Sequence, residues 1–306
     1  MDLSIIVPVY NGEKTIEELV SQLKQALLSK VDSVEIIFIH DCGPDNSWDV
    51  ISRLVSNNPN LIKAIKLSRN FGQHNAILAG INLASGELII TIDEDLQHSP
   101  FDIMLLIEKY RETNSDVIYG KYSDLKHSFF RNITSKLMKK MLQISLPELH
   151  PEYSAFRLIK SSVAKEIVKM TNSYTFLDGY LSWITQDIDF VIVSHNQRLE
   201  GESSYTLGKL IEHSINIFVT FSNFPIRFLT KSSVIIFIST FFYSLYIIFR
   251  VFVYDDMAMG FPSLIILFGF GIGSIMLGVG ILGEYIYRIN LKTTKRPNYF
   301  IKQTIE

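Results

Sequence analysis

The chain has 306 residues and carries 29 Lys and Arg against 31 Asp and Glu, for a formal charge of −2. That length fits one large domain or two small ones, and that balance argues against a nucleic-acid binder working through a bulk basic surface. The single cysteine, Cys42, excludes an internal disulfide framework and any cysteine-based zinc cluster. No secretory leader is expected, because Asp2 stands where a basic region would be and IIVPVY is too short for its apolar core.

Taken in chain order, LSIIVPVY reads as a strand. NGEKTIEELVSQLKQALL follows as a helix, with Ile16, Leu19, Leu23 and Leu27 on one face. VEIIFIH is a second strand and DNSWDVISRLV a second helix, with Asp45 or Asn46 as its N-cap. LIKAIKLS, NFGQHNAILAGINLA and GELIITID continue the alternation as strand, helix and strand. Pro100 to Tyr110 reads as a helix and DVIYG as a fifth strand. Strands alternating with helices imply right-handed βαβ units and a mostly parallel sheet. Ligands of such sheets bind beyond the carboxyl ends of the strands. Three of those ends carry polar clusters: Asn11-Gly12-Glu13, His40-Asp41 and Asp93-Glu94-Asp95.

Farther on the composition changes. Arg131 to Leu146 places Ile133, Leu137, Met141 and Ile144 on one face and Lys136, Lys139 and Lys140 elsewhere. That pattern fits an interfacial amphipathic helix or an ordinary surface helix. Leu207 to Leu229 is mostly apolar and leads into Ser232 to Phe249, 18 residues without a charge; Phe261 to Gly283 gives 23 more. A helix needs about 20 such residues to cross a bilayer. Arg227 and Lys231 precede the first run, and Arg288, Lys292, Lys295, Arg296 and Lys302 follow the second. The connecting loop holds Asp255 and Asp256, with Arg250 at the end of the first run. The excess of basic residues at the outer flanks puts both ends in the cytoplasm. Gly269 and Gly273 form a small-xxx-small pair that suits close helix packing. The expected organisation is a cytoplasmic domain over 1–205, a juxtamembrane segment over 206–231, a two-helix transmembrane hairpin over 232–288 and a cytoplasmic tail over 289–306.

The acids after GELII require a positive partner, since a buried carboxylate without one is costly. In an extended chain Asp93 and Asp95 would share a side, and Glu94 would point away as a spacer. Two carboxylates on one side suit Mg²⁺ or Mn²⁺, which takes its other ligands from water and substrate phosphates. A solvated acidic turn is the plainer alternative.

SIIVPVYNGE, DCGPDNSW, LSRNFGQHNAILAG and DEDLQHSP, in that order over residues 3 to 100, resemble family 2 glycosyltransferases of the GT-A fold. The similarity is to the polyprenyl-phosphate branch, GtrB-type and dolichyl-phosphate mannose synthase-like, and continues through YSAFRL and RLEGESSY. The resemblance implies a Rossmann-like α/β domain followed by interfacial helices and two transmembrane helices. Pro8, Tyr10 and Glu13 match the loop that holds base and ribose, and Asp41 the acid that binds the base. Arg69, Asn70 and Gly72 match the motif near the nucleotide phosphates. Asp93 and Asp95 match the metal-carrying D-x-D pair, and Gln97 the glutamine near the donor sugar. Arg157 and Arg198 match the family's S-G-F-R-L-type and R-x-x-G-x-S-x-Y segments; with Arg131, at the head of the amphipathic stretch, their guanidinium forks suit a lipid phosphate. Asp178 lies where other family 2 enzymes place a general base. His98 receives no role.

Three positions depart from the pattern. His40 replaces the first acid of D-D-G-S, Ser204 replaces a lysine, and Gly12 intervenes before Glu13. The resemblance implies an inverting, metal-dependent transferase acting at the cytoplasmic face of a bacterial inner membrane. It would move a sugar from a nucleoside diphosphate, UDP-glucose for example, to undecaprenyl phosphate, as a homo-oligomer. The alternatives are transfer to a saccharide or lipid-linked oligosaccharide, or an inactive membrane-anchored nucleotide-sugar scaffold.

Overall fold

The structure is a computed structural model that describes residues 2–122, 146–170, 174–194, 260–293 and 297–306, with a subset of helical positions between 215 and 253. The expected helix over 131–146 falls outside these residues except for Leu146, as do Arg131, Arg198 and Ser204.

The first half follows the alternation in the sequence. Strands β1 (Asp2–Val9), β2 (Ser33–His40), β3 (Ile62–Leu67) and β4 (Leu88–Thr91) alternate with helices α1 (Ile16–Leu27), α2 (Ser47–Asn57) and α3 (Gln73–Leu83). A 3₁₀ turn over Pro100–Asp102 then leads into α4 (Ile103–Thr113) and β5 (Val117–Tyr122). The second half adds β6 (Arg157–Lys160), α5 (Ser161–Val168), α6 (Leu177–Ile184), β7 (Ile188–Val193), the long helix α7 (Phe261–Thr293) and β8 (Ile301–Ile305).

The eight strands among the described residues join one sheet in the order β7-β5-β6-β4-β1-β2-β3-β8. β1 to β4 run parallel, β7 pairs parallel with β5, and only β6 and β8 are reversed. The chain builds from β1 outward to β3, then returns to place β4 on the other side of β1. That reversal of order opens a crevice between the loops that follow β1 and β4.

Period-two alternation fills both faces of the sheet. Ile36 and Phe38 of β2 enter one core with α1, α2 and α4, whereas Ile37 and Ile39 enter a second with α3, α5 and α6. Glu35 fastens the amino end of the sheet. It accepts hydrogen bonds from the Ser4 hydroxyl at 2.5 Å and from the Ser85 amide at 2.7 Å, and pairs with Lys63 at 2.7 Å. Burial alone would raise its pKa, but these partners outweigh it and hold the carboxyl down to about 2.

The expected tail includes a sheet strand. β8 lies antiparallel on β3, with Lys66 opposite Gln303, so the tail covers an edge that would otherwise be open. The Ser68 amide donates to the Phe300 carbonyl at 2.9 Å. The Asn298 side chain reaches the Met170 carbonyl at 3.4 Å, and Tyr299 packs on the second core.

Among the described residues one helical window, Gly271–Asn290 within α7, is long and apolar enough to cross a membrane. Ile275, Met276 and Ile286 on it are exposed. A Cβ added at Gly273 would meet nothing within 4 Å, so that glycine makes no close helix contact with the described part of the chain. Near its end, Arg288 donates to Thr220 at 2.6 Å and Asn216 at 3.2 Å and pairs with Glu284. Between those two partners Ile217 is buried in the second core.

A Glu35 carboxyl held far below its usual range stabilises the fold above about pH 4.5, and that stability is lost as the pH falls toward 2. Glu35→Gln is expected to lower stability at pH 7 by up to about 3 kcal/mol. It should also flatten the fall in melting temperature between pH 5 and pH 2, measured by thermal melts across that range.

Candidate active site

The carboxyl ends of β4, β1, β2 and β3 lie side by side and present their loops to one rim. Pro8 is buried in β1, beyond the last β1–β4 pair at Ile6. Tyr10 follows, exposed at the rim. Glu13 accepts from the Asn46 amide at 3.1 Å, and the Glu13 amide donates to Asp45 at 2.9 Å. The first loop is thus tied to the start of α2. Gly43 allows this approach: a Cβ there would stand 1.5 Å from the Tyr10 carbonyl oxygen.

Asp41 is buried, and its two carboxylate oxygens accept the Phe71 amide at 2.7 Å and the Gly72 amide at 2.8 Å. Burial pushes its pKa up to about 6, against the pull of those two amides. The acid expected to meet the base therefore also holds the turn carrying Arg69, Asn70 and Gly72. Within that turn, Asn70 accepts a second bond from the Gly72 amide at 2.9 Å, and the exposed Arg69 lies over the Phe71 ring at 4.7 Å. Gly72 has φ +87°, a conformation that strains any residue with a Cβ. His40, beside Asp41, is buried against Trp48 at 5.8 Å, and burial lowers its pKa.

β4 stops at Thr91, so Asp93, Glu94 and Asp95 lie in a turn, with Leu96 at φ +60°. Alternation does not govern them, and Glu94 is more than a spacer. It accepts the Tyr10 amide at 3.3 Å, and its Cγ would lie 3.0 Å from a Cβ at Gly12. Glu94 thereby spans the crevice between the β1 and β4 loops. Burial and the neighbouring Asp93 carboxylate push its pKa up to about 7. Asp95 accepts the Gln97 amide at 3.1 Å, closing the turn.

Asp93 has neighbours that the sequence reading passed over. Gln73, the first residue of α3, donates its side-chain amide to Oδ1 at 2.6 Å. His98 Nε2 stands 3.6 Å from Oδ2. The His98 ring is buried, stacked between Tyr122 and Phe156 at 5.2 Å from each. The signal for Gln73 was its place directly after the Gly72 turn; nothing in the sequence pointed to the His98 stack.

Arg157 and Asp178 were expected to serve a lipid phosphate and a general base, in separate roles. The structure brings them together. Both are buried, and their side chains form an ion pair. The Tyr119 hydroxyl donates to the same Asp178 oxygen at 2.9 Å, and Arg157 Nε donates to the Thr91 hydroxyl at 3.2 Å. Arg157 thus stands beside the last residue of β4, two positions before Asp93, with its guanidinium engaged within the protein.

Asp93 and Asp95 offer hard carboxylate oxygens, a donor set that fits Mg²⁺ or Mn²⁺. Among the described residues no three His, Cys, Asp or Glu side chains group to hold a metal alone. A metal here would complete its shell with water and a diphosphate.

Comparison with known proteins agrees with this architecture. The model of the family described as glycosyl transferase family 2 matches residues 4–168. A prophage bactoprenol glucosyl transferase homolog of Escherichia coli is 32% identical over 311 residues, covering 99% of each chain. The undecaprenyl-phosphate 4-deoxy-4-formamido-L-arabinose transferase of Yersinia enterocolitica is 31% identical over 307 residues, covering 99% of this chain and 93% of that one. The solved glucosyl-3-phosphoglycerate synthase of Mycobacterium tuberculosis, in complex with Mn²⁺, UDP-glucose and phosphoglyceric acid, superposes with a TM-score of 0.53 at 15% identity. That match covers 72% of this chain and 78% of the synthase, and it supports the GT-A fold.

The chain belongs to glycosyltransferase family 2. It is a glycosyltransferase, and these relatives place it in the GtrB-type polyprenyl-phosphate branch.

Removing one partner of a buried ion pair strands the other, at a cost of roughly 3–5 kcal/mol. Asp178→Leu is expected to destabilise the protein on that scale, and adding Arg157→Met should recover most of the loss. Denaturant melts of the two variants check this.

Proposed function

We propose that the protein transfers a sugar, glucose by parallel with bactoprenol glucosyl transferases, from a UDP-sugar to polyprenyl phosphate, with inversion and with Mg²⁺ or Mn²⁺. The observation that carries this reading is the meeting of the Asp93-Glu94-Asp95 turn with the Asp41-held turn at one rim of the sheet. End-to-end similarity to bactoprenol glucosyl transferases supports the acceptor. A UDP-glucose complex of a protein with this fold supports the donor.

Asp93 and Asp95 would hold the metal, which when bound neutralises the diphosphate leaving group. Pro8, Tyr10 and Glu13 line the base side of the crevice, with Asp41 beside them. Arg69 and Asn70 stand on the exposed turn where the diphosphate would lie, and Gln97 follows the metal turn toward the sugar. The acceptor needs little activation, because a phosphate monoester is largely dianionic at neutral pH, with its second pKa at about 6. Its oxygen forms a bond to the anomeric carbon while the bond from that carbon to UDP breaks on the opposite side. Asp178, paired with Arg157 and Tyr119, is then free of any duty as base.

Chain topology supports a membrane-facing site. β8 returns the chain to the sheet after α7, so if α7 crosses a bilayer, the segment between β7 and β8 crosses an even number of times. Exposed apolar positions such as Ile235, Phe242 and Phe249 suit a second crossing. β8 also starts beside Ser68, at the rim that carries the site. Seven residues, 294–300, join α7 to it.

Purified protein in detergent is expected to convert UDP-glucose and undecaprenyl phosphate to a glucosyl phospholipid, seen by mass spectrometry of the lipid product. EDTA should abolish turnover, and Asp93→Ala or Asp95→Ala should reduce it by at least about 10²-fold, a transition-state loss of about 3 kcal/mol. Full activity in the Asp93→Ala/Asp95→Ala double variant would contradict the reading. A product on a saccharide instead of the lipid phosphate would move the protein to another acceptor class.

A further inference from the structure

The geometry points to Gln73 as a positioning residue that fixes the Asp93 carboxylate for metal binding. The inference rests on the proposed metal role of Asp93 and adds a residue that this role depends on.

An aspartate that ligates a metal must present one oxygen in a fixed direction, yet its terminal torsion is soft. Asp93 is only about one-quarter exposed, with a side-chain accessibility of 26%. Its Oδ1 accepts the Gln73 amide at 2.6 Å. A bond this short between an amide donor and an ionised acceptor is charge-assisted. An ionised carboxylate only accepts, so the nitrogen of the Gln73 amide must face it. The second oxygen, Oδ2, faces His98 Nε2 at 3.6 Å, beyond hydrogen-bond length. Oδ1 is thereby tied down, and Oδ2, whose contact with His98 is the longer one, is the oxygen offered to a cation.

The place of Gln73 is itself determined from across the sheet. Asp41, at the end of β2, holds the Phe71 and Gly72 amides. Gly72, at φ +87°, turns the chain into α3. Gln73 is the next residue, and it reaches Asp93 beyond β4. Since β1 lies between β2 and β4, this belt of Asp41, Phe71, Gly72, Gln73 and Asp93 passes over the end of β1. The acid on the base side is thus joined to the acid on the metal side through three consecutive residues. Partners that orient a ligating carboxylate commonly affect metal affinity by roughly 10- to 100-fold.

The test measures Mn²⁺ binding to the full-length protein in detergent, by the electron paramagnetic resonance signal of free Mn²⁺, with UDP saturating. Gln73→Met keeps the length and shape of the side chain and removes the donor. Gln73→His keeps a neutral N–H at similar reach. Gln73→Met is expected to weaken Mn²⁺ binding roughly tenfold or more, with a melting temperature close to that of the parent protein. Gln73→His should stay within about threefold of the parent, because it keeps a donor to the Asp93 carboxylate. Parent-like Mn²⁺ affinity in Gln73→Met would overturn the inference. So would equal loss in both variants with a lowered melting temperature, the mark of a purely structural residue. If the parent protein takes up no Mn²⁺, or Asp93→Asn binds it as the parent does, the metal reading itself fails and this inference falls with it.

Discussion

Carboxylates crowded at one rim of a sheet repel one another, and each must be held there by donors strong enough to offset that repulsion. Asp41, Asp93, Glu94 and Asp95 stand at the ends of two strands separated only by β1. Backbone amides of Phe71 and Gly72 hold Asp41, the Tyr10 amide holds Glu94, and the Gln97 amide holds Asp95. Burial pushes Asp41 and Glu94 upward in pKa, to about 6 and about 7. The donors that retain the acids are the same groups that shape the loops. The electrostatics and the architecture of the crevice are therefore one arrangement. What the donors leave unbalanced is negative potential at the mouth of the site, where a divalent cation with a diphosphate has its natural seat.

A second constraint is the route of the chain to and from α7. Ile217 is buried in the core that also contains Leu177 and Tyr180 of α6, while Asn216 and Thr220 bond Arg288 of α7. After α7, Asn298, Tyr299 and Phe300 dock on the domain before β8 joins β3. The long apolar helix is thus fastened to the catalytic domain at two places near its carboxyl end. One of them adjoins Ser68, directly before the Arg69 turn. A lipid acceptor approaching along the membrane would meet the rim of the sheet that carries the acids.

Much of this was legible in the sequence because local pattern and tertiary role agree there. β1 and β4 are short apolar runs, α1 and α2 have clean apolar periodicity, α3 is apolar nearly all round, and the polar ends of the strands fall where a parallel sheet places ligands. β8 was not legible: Ile301–Ile305 reads IKQTI, apolar only at its two ends, and only its partner β3, far away in sequence, makes it a strand. The contact of Glu94 with the β1 loop was not legible, because the strand ends at Thr91 and the turn that follows is set by its tertiary neighbours. Arg157 and Asp178 were each assigned a chemistry singly. Their pairing depends on the register that sets Arg157 opposite Thr91, together with the packing of α6, and neither is encoded locally.

The central claim is that the rim acids seat a divalent cation bridging to a nucleoside diphosphate. The most direct measurement is a structure of the full-length protein with UDP and Mn²⁺, with anomalous scattering used to place the manganese. The account predicts one strong peak between Asp93 and Asp95, within about 2.0–2.6 Å of their oxygens and of the diphosphate, the range of hard-cation ligation. UDP bound in the crevice with no metal peak at these carboxylates, or a peak elsewhere, would contradict it.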